Sequence, residues 1–283
     1  MTAVTPAVEL TTRLPAGLRA WRFVRRHVLD VYALLALVYL FVPISVVVAF
    51  SFNNPLGRFN YTWQGFTFHN WTQPFAYPGL ESAIKISIEI AFLSAAASTV
   101  LGTLIALALV RYKFRGSATT NLLIFIPMTT PEIVMGASLL TLFLNWKIPQ
   151  GFGTILIAHI MFNISYVVVT VRARLVGFDR HLEEAAMDLG ANEIATFWRV
   201  TLPLIAPGIL AASLLAFALS IDDFVITYFN AGTVTTFPLF VWGAARVAVP
   251  PQINVIGTAI FAIAVIGMLA NVIIQNARAK RAA

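Results

Sequence analysis

The sequence predicts an all-α integral membrane protein, with six transmembrane helices in a single domain over residues 1–283. The first observation is composition: 59% of the 283 residues are apolar and 11% are charged, whereas a soluble domain carries roughly 25% charged residues. The second is a mean hydropathy of +0.83, too high for a chain that must coat a soluble surface. The third is that six apolar runs reach the ~20 residues that a helix needs to span a bilayer.

The six spans follow from the apolar runs in chain order. They are predicted at Leu29–Phe50, Ala83–Val110, Leu122–Leu144, Phe152–Val171, Leu204–Thr227 and Val255–Ile274. The second run is long enough to tilt or to extend beyond the bilayer. The first is longer than the ~7–15 residues of a signal-peptide core, and no small-x-small cleavage site follows it, so we interpret it as a retained span.

Lys and Arg residues are concentrated on alternate loops. The N-terminus, the loops after spans two and four, and the C-terminus hold 15 of them, against 3 on the other side and Lys85 at the edge of span two. The positive-inside rule therefore places both termini in the cytoplasm. The net charge of +7 reflects this distribution, so we expect no nucleic-acid partner. The lack of cysteine excludes disulfide and thiol chemistry.

Two segments outside the spans have an interfacial character. Residues 1–28 are predicted to form a cytoplasmic amphipathic segment, because apolar residues recur at helical spacing at Leu14, Leu18, Trp21, Val24 and Val28. On the opposite side, the loop from Asn53 to Leu80 is rich in aromatic residues. That loop favours an aromatic belt at the membrane interface, and a surface for an extracytoplasmic partner is the alternative.

The loop of residues 172–203, which is cytoplasmic by the same rule, carries a small fold of its own. Leu182 to Leu189 are good helix formers, and Gly190 suits a left-handed helix end. Asn192 can then cap a second short helix. Pro203 is predicted to end that second helix or to redirect the chain into span five.

The first helix of this loop carries an ordered motif. It reads Glu184-Ala-Ala-Met-Asp-Leu-Gly190, followed after nine residues by Val200 and, one residue later, by Leu202-Pro203. This pattern resembles the motif of permease subunits of bacterial ATP-binding-cassette (ABC) importers, with Val200 where that family usually has Ile. The resemblance implies a coupling helix between spans four and five that docks on an ATPase through Glu184, Ala185, Ala186, Asp188 and Gly190. The alternative is a solvated helix without a partner.

Four of the twelve acidic residues fall within apolar runs: Glu89, Glu132, Asp222 and Asp223. A carboxylate at the bilayer centre costs about 2.5–3.5 kcal/mol on insertion scales, so it is kept only where it faces protein or water. No Lys or Arg within the spans matches these acids apart from Lys85, which we expect to pair with Glu89 along one helix face. The excess negative charge suits a cationic solute.

The predicted substrate-path residues combine carboxylates with aromatic rings. Asp222 and Asp223 point to different faces of a helix, so one is expected to bond locally and the other to face the path. Glu132 directly follows the segment Pro127-Met-Thr-Thr-Pro131. The two prolines of that segment free backbone carbonyls, which is tolerated where the chain lines a cavity. Aromatic rings can bind an ammonium group, although packing is the alternative role. The full set is Glu132, Asp222, Asp223, Tyr228 and Trp242. We predict no catalytic residue and no metal site.

Two segments, Pro131 to Leu140 and Leu219 to Tyr228, resemble the second permease subunit of spermidine/putrescine transporters. The resemblance implies a type I fold that translocates polyamines by alternating access across the bacterial cytoplasmic (inner) membrane. It also implies three partners: an ATP-binding-cassette ATPase dimer, a second and different permease subunit, and an extracytoplasmic solute-binding protein. ATP and Mg would be bound by the ATPase, because this chain has no Gly-x-x-x-x-Gly-Lys-Ser/Thr sequence. We therefore expect no enzyme activity and no cofactor in this chain.

Other functions are compatible with the spans. An ion-coupled secondary transporter or channel would also use intramembrane acids, but the loop motif and the lack of a visible half-to-half repeat count against it. A non-transporting scaffold or sensor would need none of these acids. Among ABC importers, the alternative solute is another small organic cation or an amino-acid-like molecule.

Overall fold

The computed structural model describes the backbone of residues 16–112 and 114–282, and the side chains of residues 27–112, 114–270 and 273. Helices are the regular secondary structure of this part of the chain, joined by turns and loops that include an isolated bridge between Asn53 and Phe66, which confirms the all-α class. The helices are α1 Ala16–Ser51, α2 His69–Thr72, α3 Leu80–Arg111, α4 Ser117–Thr129, α5 Glu132–Asn145, α6 Phe152–Val176, α7 His181–Asp188, α8 Glu193–Thr196, α9 Leu202–Ile221, α10 Val225–Asn230, α11 Phe237–Val247 and α12 Pro251–Ala282. A π-helical segment, Phe197–Thr201, joins α8 to α9.

Within the described residues, five stretches are long and apolar enough to cross a membrane, in α1, α3, α6, α8–α9 and α12. The bent pair α4 and α5 makes a sixth when it is counted as one span. The predicted number of spans holds on that count. The predicted amphipathic face of residues 1–28, apart from Val28, falls outside the described side chains.

The predicted third span, Leu122–Leu144, is wrong as a single helix. α4 and α5 meet at an angle of 108°, and the break falls at Thr130 and Pro131. Pro131 disfavours the α conformation in the residue before it, and Thr130 is extended (φ −76°, ψ 130°). Pro131 therefore breaks the helix, whereas Pro127 lies inside α4 and does not interrupt it.

The predicted fifth span, Leu204–Thr227, also consists of two helices. α9 ends at Ile221, Asp222 is its C-terminal cap, and the separate helix α10 starts at Val225. The residues around this break include neither proline nor glycine. Side-chain bonding must therefore account for it.

Of the two alternatives predicted for Pro203, the first, that it ends the short second helix, is wrong. The chain is continuously helical from Glu193 to Ile221, because the π-helical segment leads directly into α9. Leu202 N–H bonds to the carbonyl of Phe197, five residues earlier. This wider turn lies directly before Pro203, which has no N–H of its own to contribute.

The chain divides into two compact units, residues 1–74 with 251–283, and residues 75–250. In the first unit, α1 and α2 pack on α12. The loop after α1 is organised by the buried side chain of Asn53, which donates to Asn60 Oδ1 at 2.6 Å and to the carbonyl of Thr62 at 2.8 Å. The rings of Phe66 and Phe68 beside it are 62% exposed. The aromatic belt at the membrane interface stays a prediction.

The second unit is centred on α3, α6 and α9, which pack on one another. Small residues on these helices allow close approach, as in many membrane helix pairs. A Cβ atom on Gly102 of α3 would lie 2.6 Å from Val167 Cγ1 of α6. A second cluster joins α5, α6 and α10 through Met135, Leu139, Phe143, Ala158, Phe162 and Ile226.

We expect Gly102→Ala to lower the stability of the purified chain in detergent by about 1–3 kcal/mol, because the added methyl overpacks the contact between α3 and α6. The measurement is the thermal unfolding midpoint, with size-exclusion chromatography to check dispersity. Adding Val167→Ala should recover only part of the loss, because it removes Cγ1 but keeps the Cβ of residue 167, which lies 2.8 Å from the new Cβ.

The matched control for this change is Gly153→Ala, in α6 of the same unit. A Cβ atom on Gly153 would meet nothing within 4 Å. Equal unfolding midpoints for Gly102→Ala and Gly153→Ala would contradict the packing argument.

Candidate functional site

The break between α9 and α10 separates the two adjacent carboxylates, Asp222 and Asp223. The Asp223 side chain is 6% exposed, and its Oδ2 accepts hydrogen bonds from Thr227 N and Thr227 Oγ1, each at 2.8 Å. Asp222 is exposed. One of the pair therefore bonds locally, as predicted, and that the other faces the path stays a prediction.

His159 of α6 is the buried partner of Asp223. Its Nε2 lies 3.2 Å from Asp223 Oδ2 and 2.9 Å from Thr227 Oγ1, and its side chain is 3% exposed. Its Nδ1 lies 2.6 Å from Ser220 Oγ, which accepts a hydrogen bond from Ser94 Oγ at 2.9 Å. A continuous run of polar contacts therefore joins α3, α9, α6 and α10.

A comparison of the acids with Lys and Arg alone does not identify His159. No Lys or Arg forms an ion pair with Asp223 among the described residues, as expected, but the imidazole of His159 is in contact with that carboxylate. A histidine within the apolar run of span four was itself a signal, because ionisable residues in spans are rare and usually pair. Counting His159 would have identified this partner.

The other two acids within apolar runs differ from Asp223. Glu89 and Lys85 are both exposed on α3, and no ion pair joins them among the described residues, so the expected pairing is wrong. Glu132 is exposed in the first turn of α5. α5 packs on α10, where Asn230 Nδ2 donates to the carbonyl of Gly136 at 3.3 Å. The role of Glu132 stays a prediction.

Tyr228 and Trp242 belong to one aromatic cluster around Phe224. The ring centroid of Phe224 lies 5.6 Å from that of Tyr228 and 5.2 Å from that of Trp242. Cζ of Arg246 lies 4.7 Å from the centroid of the Trp242 ring, so one face of this ring already meets a cation of the same chain. Tyr228 is 58% exposed and is the more open of the two predicted aromatics.

A cavity of about 510 Å³ lies between α4 and α6. Arg172 Nη1 donates to Asn121 Oδ1 at 2.6 Å on its wall, and none of the five predicted path residues lines it. Among the described residues, no group of three or more His, Cys, Asp or Glu is placed to hold a metal ion.

The predicted docking helix is α7, and none of its residues is buried. The Glu184 side chain is 63% exposed, and its Oε2 lies 3.1 Å from His181 Nδ1. Exposed apolar side chains continue this surface on both sides of the turn that follows, since Leu189 is 90% exposed and Ile194 72%. The predicted interface residues Ala185, Asp188 and Gly190 are exposed as well, and Ala186 is partly so.

The turn after α7 has the geometry that the sequence predicts. Gly190 is left-handed, with φ 90°. Its N–H bonds to the carbonyl of Met187 at 2.9 Å, and Ala191 N–H bonds to that of Ala186 at 3.1 Å, which together form a Schellman motif. Asn192 Oδ1 then accepts from Ala195 N at 2.8 Å. Both predictions for this turn are confirmed.

Known proteins match most of this chain. A family profile described as "Binding-protein-dependent transport system inner membrane component" matches residues 98–280. The spermidine/putrescine transport system permease protein PotC of Escherichia coli strain K12 is 37% identical over 86% of this chain and 91% of its own length. The putrescine transport system permease protein PotI of the same strain is 36% identical over 95% of each chain.

A solved structure shares the fold. It is a bacterial ABC transporter involved in the import of the acidic polysaccharide alginate. One of its chains aligns with a TM-score of 0.61 and 18% identity, over 93% of this chain and 98% of that one.

We expect the contact between His159 and Asp223 to behave as a coupled pair in a double-mutant cycle. His159→Ala and Asp223→Ala should each destabilise the purified chain by about 3–5 kcal/mol, because each leaves a buried polar partner uncompensated. The double variant should cost less than the sum, by about 0.5–3 kcal/mol. Unfolding in mixed micelles at rising SDS fraction measures all three.

The control cycle combines His159→Ala with Glu89→Ala, an exposed acid on α3. Its two effects should add. Additive effects in the cycle of His159 and Asp223 would mean that the two side chains do not stabilise each other.

Proposed function

This chain belongs to the family of inner-membrane components of binding-protein-dependent transport systems, and we propose on that premise that it is the permease of an ATP-driven polyamine importer. The family is one of transport permeases, and the chain supplies a membrane passage. The observation that carries the proposal is α7: it bears the family motif, buries none of its residues, and leaves Glu184 63% exposed. A helix held outside the packed core without burial of its own is suited to a partner.

The docking surface on α7 combines charge with apolar area. Glu184 and Asp188 are exposed one turn apart, and Leu189 and Ile194 add exposed apolar side chains. Depletion of charge at the centre and polar groups at the rim are typical of protein interfaces. We assign this surface to the ATPase, with Ala185, Ala186 and Gly190 allowing close approach.

The proposed solute class is the polyamines. The relatives PotC and PotI are named for spermidine and putrescine. The exposed carboxylate of Asp222 lies two residues before the aromatic cluster at Phe224, and carboxylates and aromatic rings both attract ammonium groups. The alginate transporter has the same fold but imports an acidic polysaccharide, so the residues of the path, not the fold, must set the charge preference.

Within this path, we assign Asp222 to the solute and Asp223 to the protein. A cation that used Asp223 would first have to replace the contacts of its carboxylate with His159 and Thr227. Glu132 is proposed as a second acid along the path. We propose that Trp242 contacts the cation with the face of its ring that is turned away from Arg246.

The transporter that this function requires has further subunits. We propose an ATP-binding-cassette ATPase dimer at α7, a second and different permease subunit, and an extracytoplasmic solute-binding protein. ATP and Mg are assigned to the ATPase, and this chain is assigned no cofactor. The excess of Lys and Arg on alternate loops supports a bacterial inner-membrane protein whose two termini and loop 172–203 are cytoplasmic. ATPase closure would then move α7 and switch the path between its two openings.

We expect vesicles that contain this chain with its ATPase, second permease and binding protein to take up radiolabelled putrescine and spermidine when ATP is supplied. Asp222→Asn should lower the uptake rate by about 10-fold or more, because a hydrogen bond to a charged group is worth about 1.5–3 kcal/mol. The amount of assembled complex should not change. Glu184→Lys should abolish uptake by weakening ATPase docking.

The matched control is Asp223→Asn, which makes the same chemical change at the neighbouring residue. It should act mainly on the amount of folded complex, as its side chain is buried. ATP hydrolysis by the assembled complex without polyamine uptake would exclude polyamines as the solute but would leave the assignment as an ATP-driven importer in place. Uptake that persists without the ATPase would overturn the importer itself.

A further inference from the structure

Glu183 is the neighbour of Glu184 in α7 and points to the protein instead of to solvent. Its side chain is 15% exposed, against 63% for Glu184. Glu183 Oε1 accepts hydrogen bonds from Arg111 Nη2 and from Thr201 Oγ1. Arg111 Nη2 also donates to Thr201 Oγ1 at 3.3 Å. The three side chains therefore form a closed triangle, in which each member bonds to both of the others.

This triangle joins three elements that are far apart in the sequence. Arg111 is the last residue of α3, Glu183 lies in the first turn of α7, and Thr201 ends the π-helical segment before α9. A second bond acts at the same place, where Arg180 Nη2 donates to the carbonyl of Val110 at 2.9 Å. α7 is thus attached to the ends of two core helices, α3 and α9.

Polar contacts are the main attachment of α7, because the helix has no buried residue with which to anchor itself. Along the chain it is followed by the left-handed turn at Gly190, where a Cβ atom would meet nothing within 4 Å. By contrast, Thr201 is fully buried and α3 packs closely on α6 and α9. A displacement of α7 would therefore be passed to the core helices through the triangle of Arg111, Glu183 and Thr201.

We infer that Glu183 is a positioning residue that transmits the movement of α7 to α3 and α9, through Arg111 and Thr201. The inference rests on the proposed function, in which an ATPase moves α7. Glu184 meets the ATPase, and Glu183 holds the helix to the membrane domain. Because the triangle joins α7 to both core helices at one point, the two helix ends move with α7 as one body. Without it, α7 can follow the ATPase while the core helices stay in place.

The test measures how much putrescine is taken up for each phosphate released, in the same vesicles that hold the whole transporter. Glu183→Gln keeps the size and one acceptor oxygen but removes the charge that binds Arg111. We expect ATP hydrolysis to continue and putrescine per phosphate to fall by about fivefold or more, the lower range for coupling between sites. Arg111→Gln should have the same effect. The double variant should be no worse than either single variant, because all three lose the same contact.

Two controls separate this role from a general loss of folding or docking. Glu193→Gln changes an exposed acid in α8 and should leave the ratio unchanged. Glu184→Gln should reduce the amount of ATPase retained on purified permease, whereas Glu183→Gln should leave that amount unchanged. Thr201→Val removes two of the three sides of the triangle at nearly constant volume and leaves only the contact between Arg111 and Glu183. If Glu183→Gln yields too little complex to measure, Thr201→Val takes its place as the test variant. It should also lower the amount of putrescine taken up for each phosphate released.

The outcomes distinguish this inference from the proposed function. A wild-type transporter without ATP-dependent putrescine uptake would count against the proposed function. A coupled wild type, with an unchanged ratio in assembled Glu183→Gln and Thr201→Val complexes, would overturn the role of Glu183 alone. Additive losses in the double variant of Glu183 and Arg111 would also overturn it, because they would show two independent effects.

Discussion

The pairing of His159 with Asp223 determines how the chain can break between α9 and α10, and the proposed path depends on that break. Inside a bilayer, neither a carboxylate nor the free N–H groups at a helix start can be left without a partner. Asp223 meets both needs, since it accepts from the backbone of Thr227 and contacts the imidazole of His159. The helix therefore ends without proline or glycine, and Asp222 is left exposed at its end.

Two pairs of adjacent acids divide their roles in the same way. Asp223 and Glu183 are turned inward and hold helices together, whereas Asp222 and Glu184 are exposed. Glu183 and Glu184 are consecutive residues of one helix and so point in directions about 100° apart, whereas Asp222 and Asp223 are separated by the break between α9 and α10. A pair of acids thus anchors a surface and presents a charge on it within two residues. This arrangement suits a transporter, whose moving parts must be both fixed and accessible.

The sequence was sufficient wherever a structure depends on residues close together in the chain. The apolar runs located the spans, and the turn at Gly190 follows from its own flexibility. It was insufficient where distant residues decide: His159 and Asp223 are 64 residues apart, and Arg111 and Glu183 are 72 apart. The break in span five shows the same limit, whereas the break in span three follows from Pro131 and is missed only because hydropathy records how apolar a run is and not whether its helix is continuous. The candidate site was therefore predicted as a set of residues but not as an arrangement.

Because α7 has no buried residues, the evolutionary constraint on its exposed face differs from the constraint on the packed membrane core. A substitution on its exposed face removes no packing, so it should have little effect on the stability of the isolated permease. In the proposed function, the constraint on that face comes from the ATPase, and the two contacting surfaces can change together while the membrane core stays as it is. A genetic screen for partner specificity would therefore find its variants in α7, among proteins that fold and insert normally.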